Sequence, residues 1–148
     1  VELSLSSEDT LMINAPLVCD DTLQTNDIAR IYPDGSFTIL GRKDNVINSG
    51  GIKVQAEEIE RLLQSSIPVP FVITSVPDRR LGQAVTLLIE GQMEISALGT
   101  KLESVLASYY RPKYIYTVNH IPQTGNGKIN RKECRVLAES LQLLGRQE

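Results

Sequence analysis

The sequence predicts an α+β fold in which a β-only stretch, residues 1–43, precedes a small mixed domain over residues 44–148. Three observations lead there. Up to Leu40 the apolar residues come in short runs separated by turn residues, as strands do. From Ala56 to Gln64 the spacing turns helical, placing Ile59, Leu62 and Leu63 on one face and Glu57, Glu58, Glu60 and Arg61 mostly outside. Two apolar runs, Phe71–Val76 and Ala84–Ile89, then read as buried strands.

Taken in order, Leu11-Met12-Ile13 and Leu17-Val18 are short strand candidates with Pro16 between them, and Ile28–Tyr32 is a third. Pro33-Asp34-Gly35-Ser36 is a turn, because proline presets φ and glycine accepts a positive φ. Phe37–Leu40 returns as the second arm of that hairpin. Val46-Ile47 and Ile52-Lys53-Val54 flank a bend at Ser49-Gly50-Gly51, giving a second, smaller hairpin. The helix from Ala56 carries its acids in the first turn, where they favour the helix dipole. Pro77-Asp78 closes the strand that begins at Phe71. A helix from about Ile95 to Ala107, a strand from Tyr114 to Asn119 and a terminal helix from Arg131 to about Leu144 complete the chain. The order hairpin, α, β, β, α, β, loop, α specifies a three-stranded sheet with helices packed on it. The boundary between the two parts falls near Lys43-Asp44.

Composition narrows the function. With 148 residues, 41% hydrophobic and 22% charged, this is an ordinary globular sequence of one domain, or one small domain with an appendage. A formal net charge of −3 argues against a nucleic-acid module, which needs a basic patch. No apolar run approaches the roughly 20 residues of a membrane span, and nothing reads as a signal peptide. Cys19 and Cys134 are far apart and form no CxxC, which reads as two reduced thiols in a cytoplasmic protein. A single histidine, His120, and unclustered carboxylates leave no metal-ligand set. Lys53, Arg79, Arg80, Arg111 and Lys113 show no pattern and read as solvated surface.

Three strings carry the chemistry. Thr25-Asn26-Asp27 comes first; Gly41-Arg42-Lys43-Asp44-Asn45-Val46-Ile47-Asn48-Ser49-Gly50-Gly51 follows; Pro122-Gln123-Thr124-Gly125-Asn126-Gly127-Lys128-Ile129-Asn130-Arg131 comes last. In this order they resemble the C-terminal end of the adenylate-forming superfamily, which includes acyl-CoA synthetases, peptide-synthetase adenylation domains and luciferases. The resemblance spans roughly Leu11 to Arg135. It implies that residues 1–43 are a β-strand remnant of a large N-terminal lobe and that 44–148 are the mobile C-terminal domain. The chain opens on Val1 within what reads as β-structure, so we expect an excised C-terminal segment.

The resemblance also implies roles. Asp27 would grip both ribose hydroxyls of ATP through charge-assisted hydrogen bonds. The family usually has Thr-Gly-Asp where this chain has Thr-Asn-Asp, so the acid is kept and the glycine is not. Arg42, planar and rich in donors, would be a second ribose contact; an interdomain salt bridge is the alternative. Asp44 would be the hinge about which the domain rotates between two half-reactions, or else an ordinary linker residue. Ser49, Gly50, Gly51, Ile52 and Lys53 match the loop that lines the coenzyme A channel, although a plain hairpin turn would show the same glycines. Glu57 and Glu58 are assigned to helix initiation. Lys128 would be the catalytic residue, neutralising charge that builds as a carboxylate attacks the α-phosphate. The Gly125-x-Gly127-Lys128 string is not a phosphate-binding P-loop. Pro122 stands where that motif needs its first glycine, and Ile129 where it needs Ser or Thr.

The superfamily's Ser/Thr/Gly-rich phosphate loop and its aromatic-Gly-x-Thr-Glu segment do not occur in the sequence. The resemblance therefore implies an AMP-forming ligase that uses ATP, Mg and coenzyme A as a whole, with this chain inert alone and no ligand expected on it. Its partners would be the N-terminal lobe of the same polypeptide and a small carboxylic acid, with a homodimer possible through stranded sheet edges. Asn26, Asn48 and the Gly50-Gly51 pair look most like 2-succinylbenzoate–CoA ligases of menaquinone synthesis. Other acyl- or aryl-CoA synthetases, or a peptide-synthetase adenylation domain, remain open. A free-standing interaction module is the rival from another class, but it has no need for Asp27, Arg42 and Lys128 together.

Overall fold

The computed structural model describes residues 2–15 and 22–146. Cys19 and the strand expected at Leu17-Val18 lie outside the described residues. The chain divides into two compact units, Val1–Val46 and Ile47–Glu148.

The first unit is a four-stranded antiparallel meander of β1 (Glu2–Leu5), β2 (Thr10–Asn14), β3 (Leu23–Ile31) and β4 (Phe37–Arg42), neighbours in sequence being neighbours in the sheet. The β3–β4 turn forms as its residues dictate. Gly35 takes φ +90°, its amide donates to Tyr32 O at 2.9 Å, and Asp34 Oδ1 accepts from the Ser36 amide at 2.9 Å. β3 is longer than expected, because it begins at Leu23 and includes Thr25-Asn26-Asp27. Asp27 is therefore not at a strand start but well inside the strand. Thr25 explains the extension. Its hydroxyl donates to Leu11 O across to β2 at 2.8 Å, which keeps β3 extended where the β2 ladder breaks register.

The second unit is a three-layer sandwich. Its sheet runs β6 (Ile52–Gln55), β5 (Val46–Ser49), β8 (Gly82–Glu90), β7 (Phe71–Asp78), and β9 (Tyr114–Val118) also pairs with β8. β7 and β8 form a long antiparallel hairpin, and β9 lies parallel to β8 from Thr86↔Tyr114 to Glu90↔Val118. Those are the three strands that the sequence expects. The small hairpin β5–β6 joins them through the single pair Ser49↔Gly82, bringing the sheet to five strands.

Alternate residues of the hairpin strands explain the unbroken apolar runs. Ile73, Val85, Leu87 and Ile89 face α1 (Ala56–Leu63) and α2 (Ile95–Val105), in a core with Ile59, Leu63, Leu98 and Leu102. Val72, Val76, Ala84 and Leu88 face α3 (Arg131–Arg146), in a second core with Cys134 and Ala138. Both faces are covered, so both residue parities must be apolar. The parallel β8–β9 pair needs a crossover, which α2 supplies.

Three details depart from the sequence reading. Leu62 is 43% exposed, because the buried arc of α1 is Ala56, Ile59 and Leu63. Glu60 is not outside; its side chain is 16% exposed and paired with Arg131. β7 continues through Pro77 and Asp78, which is possible because β7 is an edge strand and proline there costs no interior ladder bond.

Candidate functional site

In the first unit the structure brings Asp27 and Arg42 together. They are cross-strand partners on β3 and β4, and Arg42 Nη1 lies 3.0 Å from Asp27 Oδ1. Two irregularities fix this geometry. The β2–β3 register shifts between Thr10 and Met12, and the β3–β4 register shifts between Ile28 and Ala29. Such breaks re-aim side chains and raise local twist. The Asp27 amide donates to Thr25 Oγ1 at 3.3 Å. The carboxylate stays about one-third exposed, at 32%, so it has room to accept hydrogen bonds besides the one from Arg42. Asp44 is exposed within a 3-10 turn, Lys43–Asn45, with extended backbone at Arg42 and Val46 on either side.

In the second unit, Gly50 and Gly51 both take positive φ, +61° and +84°. Two successive left-handed residues close the tight β5–β6 hairpin, and this is where glycine is required. The bend is backed by the β7–β8 turn. The Gly50 amide donates to Leu81 O at 2.8 Å, and the Asn48 amide donates to Gln83 Oε1 at 2.8 Å. A Cβ on Gly50 would come within 3.2 Å of Leu81 Cδ2. The other side of the bend is open: Gly51 and Lys53 are exposed, and Ile52 is 46% exposed. Backbone without side chains therefore faces outward at its tip.

Asp78 holds the backing turn. Its carboxylate accepts from the Arg80 amide at 2.9 Å, the Leu81 amide at 3.0 Å, Lys113 Nζ at 2.6 Å and the Tyr114 hydroxyl at 3.3 Å. The bond from Lys113, joined by the turn amides and outweighing the cost of burial, holds this carboxyl well below the usual carboxylate range. In return the Asp78 carboxylate raises the Lys113 ammonium above its ordinary value. Lys113 and Arg111 are exposed, as expected of surface residues, yet each is engaged: Lys113 binds Asp78, and Arg111 donates to Leu106 O and Glu103 O at 3.1 Å each and caps the end of α2. The Asp78 turn had a local signal, an aspartate that can take the amides two and three residues on; its cationic partner had none.

Lys128 lies in the loop between β9 and α3, which is itself a miniature hairpin. The Thr124 amide donates to Lys128 O at 2.7 Å, the Gly127 amide donates to Thr124 O at 3.0 Å, and Gln123 bridges Ile129. Gly127 takes φ +80° to make the turn. The Lys128 side chain is exposed, and among the described residues no carboxylate pairs with it. Below it, Asn130 caps α3 by accepting the Glu133 amide at 3.2 Å, and Arg131 forms a two-armed pair with Glu60 at 2.7 and 3.0 Å. Burial opposes the Arg131 charge, but the Glu60 carboxylate more than offsets it and raises the guanidinium. Sequence inspection missed Glu60, because nothing local marks a partner that lies 71 residues away.

No protein-family model matches this sequence. Curated relatives do. Over 126 residues the chain is 38% identical to triostin synthetase I of Streptomyces triostinicus, covering 82% of this chain and 24% of that protein. It is 33% identical over 113 residues to the 2-succinylbenzoate–CoA ligase of Lactococcus lactis, covering 76% of this chain and 25% of that one. Among solved structures it superimposes on an AMP-forming acyl-CoA synthetase/AMP-acid ligase II-like protein from Dyadobacter fermentans. The TM-score is 0.60 and the identity 30%, over 90% of this chain and 40% of that one. The fold is that of the C-terminal domain of AMP-binding ligases. ATP-bound MatB from Rhodopseudomonas palustris, at 24% identity and a TM-score of 0.72, shares that fold. The relatives and neighbours of this chain are chiefly acyl-CoA ligases, and the chain spans about a quarter of the curated relatives' length. Among the described residues no helix is long and apolar enough to cross a membrane, and no three acidic, thiol or imidazole groups converge as metal ligands.

Proposed function

We propose that this chain is the C-terminal part of an ATP-dependent, AMP-forming acyl-CoA ligase. Carboxylate and ATP give an acyl-adenylate and pyrophosphate; the thiol of coenzyme A then displaces AMP to give the thioester. The observation that carries this reading is the Asp27–Arg42 pair, brought to 3.0 Å from 15 residues apart, exposed, and set at a double register break. A carboxylate so placed fits the vicinal hydroxyls of a ribose, with the guanidinium fixing its orientation. The donors and acceptors present therefore fit ATP at its ribose end only; triphosphate, magnesium and acid would be held by an upstream lobe of the same polypeptide.

In this reading Lys128 stabilises the charge that develops at the α-phosphate, and its exposed, unpaired ammonium suits delivery into another domain's cleft. The Gly50-Gly51 bend, bare of side chains on its open side, suits close approach to the pantetheine arm of coenzyme A. In this reading the hinge is at residues 43–44, a few residues before the division between the compact units at Val46 and Ile47, and rotation about Asp44 exchanges the two. The likeness to a 2-succinylbenzoate–CoA ligase favours that acid and hence menaquinone synthesis, with a cytoplasmic location. The chain alone is inert.

The test is ATP-dependent thioester formation from 2-succinylbenzoate by the complete polypeptide, beside its Lys128→Ala variant. Turnover by the parent and a loss on the order of a hundred- to a thousandfold in the variant is the expected result. Turnover with a different carboxylate only would keep the ligase and discard the menaquinone assignment. Equal rates in both proteins would remove Lys128 from the mechanism.

A further inference from the structure

The Glu60–Arg131 pair has a geometry that stability alone does not call for. Glu60 is on α1, Arg131 is the first residue of α3, and Ile73 lies between them on β7. Both guanidinium arms meet both carboxylate oxygens, Nη2 to Oε1 at 2.7 Å and Nη1 to Oε2 at 3.0 Å. Glu60 Oε2 also accepts the Ile73 amide at 2.9 Å, and Arg131 Nη1 reaches Ile73 O at 3.5 Å. The side chains are only 25% and 16% exposed. Such a partly buried pair stabilises little more than apolar packing of the same volume would; what it adds is one fixed arrangement of its donors and acceptors.

What that arrangement fixes is the root of the Lys128 loop. Arg131 follows Lys128 by three residues. Between them Asn130 donates its amide to Pro122 O at 2.9 Å, closing the loop, while its side chain caps α3. The loop is held within itself by backbone bonds, and Gln123 through Ile129 are all exposed. Its direction relative to the sheet is therefore set where it is rooted.

We propose that Arg131 is a positioning residue for Lys128, the Glu60 carboxylate and the Ile73 peptide forming the seat that aims the lysine loop. This rests on the ligase reading above, in which Lys128 serves the adenylation half-reaction. Lysine cannot replace the arginine, since an ammonium keeps the charge but not the planar fork.

The experiment uses the complete polypeptide, its Arg131→Lys and Glu60→Gln variants, and Lys128→Ala as reference. Adenylation is read by ATP–pyrophosphate exchange over a set of aryl and alkyl carboxylates that includes 2-succinylbenzoate. Thioester formation is read separately, from synthetic acyl-adenylate and coenzyme A. Arg131→Lys is expected to lower the exchange kcat about ten- to a hundredfold, as misplacement of a catalytic group does. KM for ATP and the thioester step should stay within about twofold. Equal losses in both half-reactions would show a merely structural residue and overturn the proposal. A deep loss in Lys128→Ala with none in Arg131→Lys would overturn it too, while leaving the ligase reading intact. Amide hydrogen exchange across residues 123–130 supplies an arm that needs no substrate: Arg131→Lys should speed exchange there and leave β8 unchanged. An unchanged loop would overturn the positioning role; absence of pyrophosphate exchange with every carboxylate would overturn the ligase reading.

Discussion

The Asp78 carboxylate sits 2.6 Å from the Lys113 ammonium, and through the Leu81 amide the same carboxylate holds the turn whose carbonyl receives the Gly50 amide. One buried acid thus connects the start of β9 to the Gly50-Gly51 bend. Its side chain is only 4% exposed, whereas that of Lys113 is 44% exposed.

That connection is pH-dependent with a definite sign. The folded carboxyl titrates far below the roughly 3.9 of an unfolded aspartate, so its contribution is complete above about pH 4 and is lost as pH falls toward the folded value. Asp78→Asn should therefore be less stable than the parent at neutral pH, and the gap should narrow as acid is added below about pH 4. Urea midpoints of both proteins from pH 2 to pH 7 check this; a gap independent of pH would count against it.

If Asp27 binds ribose as proposed, Asp27→Ala should raise KM for ATP in the complete polypeptide about ten- to a hundredfold, the cost of hydrogen bonds to a charged acceptor. Arg42→Ala should raise it less, because the carboxylate survives. Steady-state kinetics with ATP varied decide the order, and the reverse order would make Arg42 the principal contact.

Cys134 reports on α3. It is fully buried, and burial pushes its thiol up to about 11. At pH 8 its thiolate fraction is about a hundredfold or more below that of a free cysteine, so alkylation should be slow by at least that factor until α3 opens. Mass spectrometry of iodoacetamide-treated protein, with and without urea, reads this directly, provided that the Cys134 peptide is followed by itself.

Leu88 is fully buried between the sheet and α3, while Leu143 on α3 is 57% exposed. Leu88→Ala should cost about 2–5 kcal/mol and Leu143→Ala within about 0.5 kcal/mol. Chemical denaturation of the two variants separates these values.

The sequence made legible what is local. Pro33 to Ser36 and Gly50-Gly51 encode their turns in their own φ preferences, and the runs Phe71–Val76 and Ala84–Ile89 announce strands covered on both faces. The strings around Asp27, Arg42 and Lys128, on which the proposed function rests, are each contiguous and so stand out in the sequence. What escaped were the couplings between distant segments: Glu60 with Arg131, Asp78 with Lys113, and the Ser49–Gly82 bridge that attaches the hairpin to the sheet. Side-chain periodicity says which face is apolar, but not which charged residue across the domain will meet it. Leu62 and Leu63 show the limit within one helix, since adjacent residues differ by about 100° and only the packed sheet selects between them.

β8 has company along its entire length. β7 borders one edge throughout; on the other, Ser49 pairs Gly82, the Gln83 side chain takes the Asn48 amide, Val85 O takes the Lys113 amide, and β9 covers Thr86 to Glu90. Its amides cannot meet solvent by fraying of an edge or by the lifting of a single helix. They should exchange only when the whole second unit comes apart. The protection of β8 is therefore the expected clock for global opening of this unit.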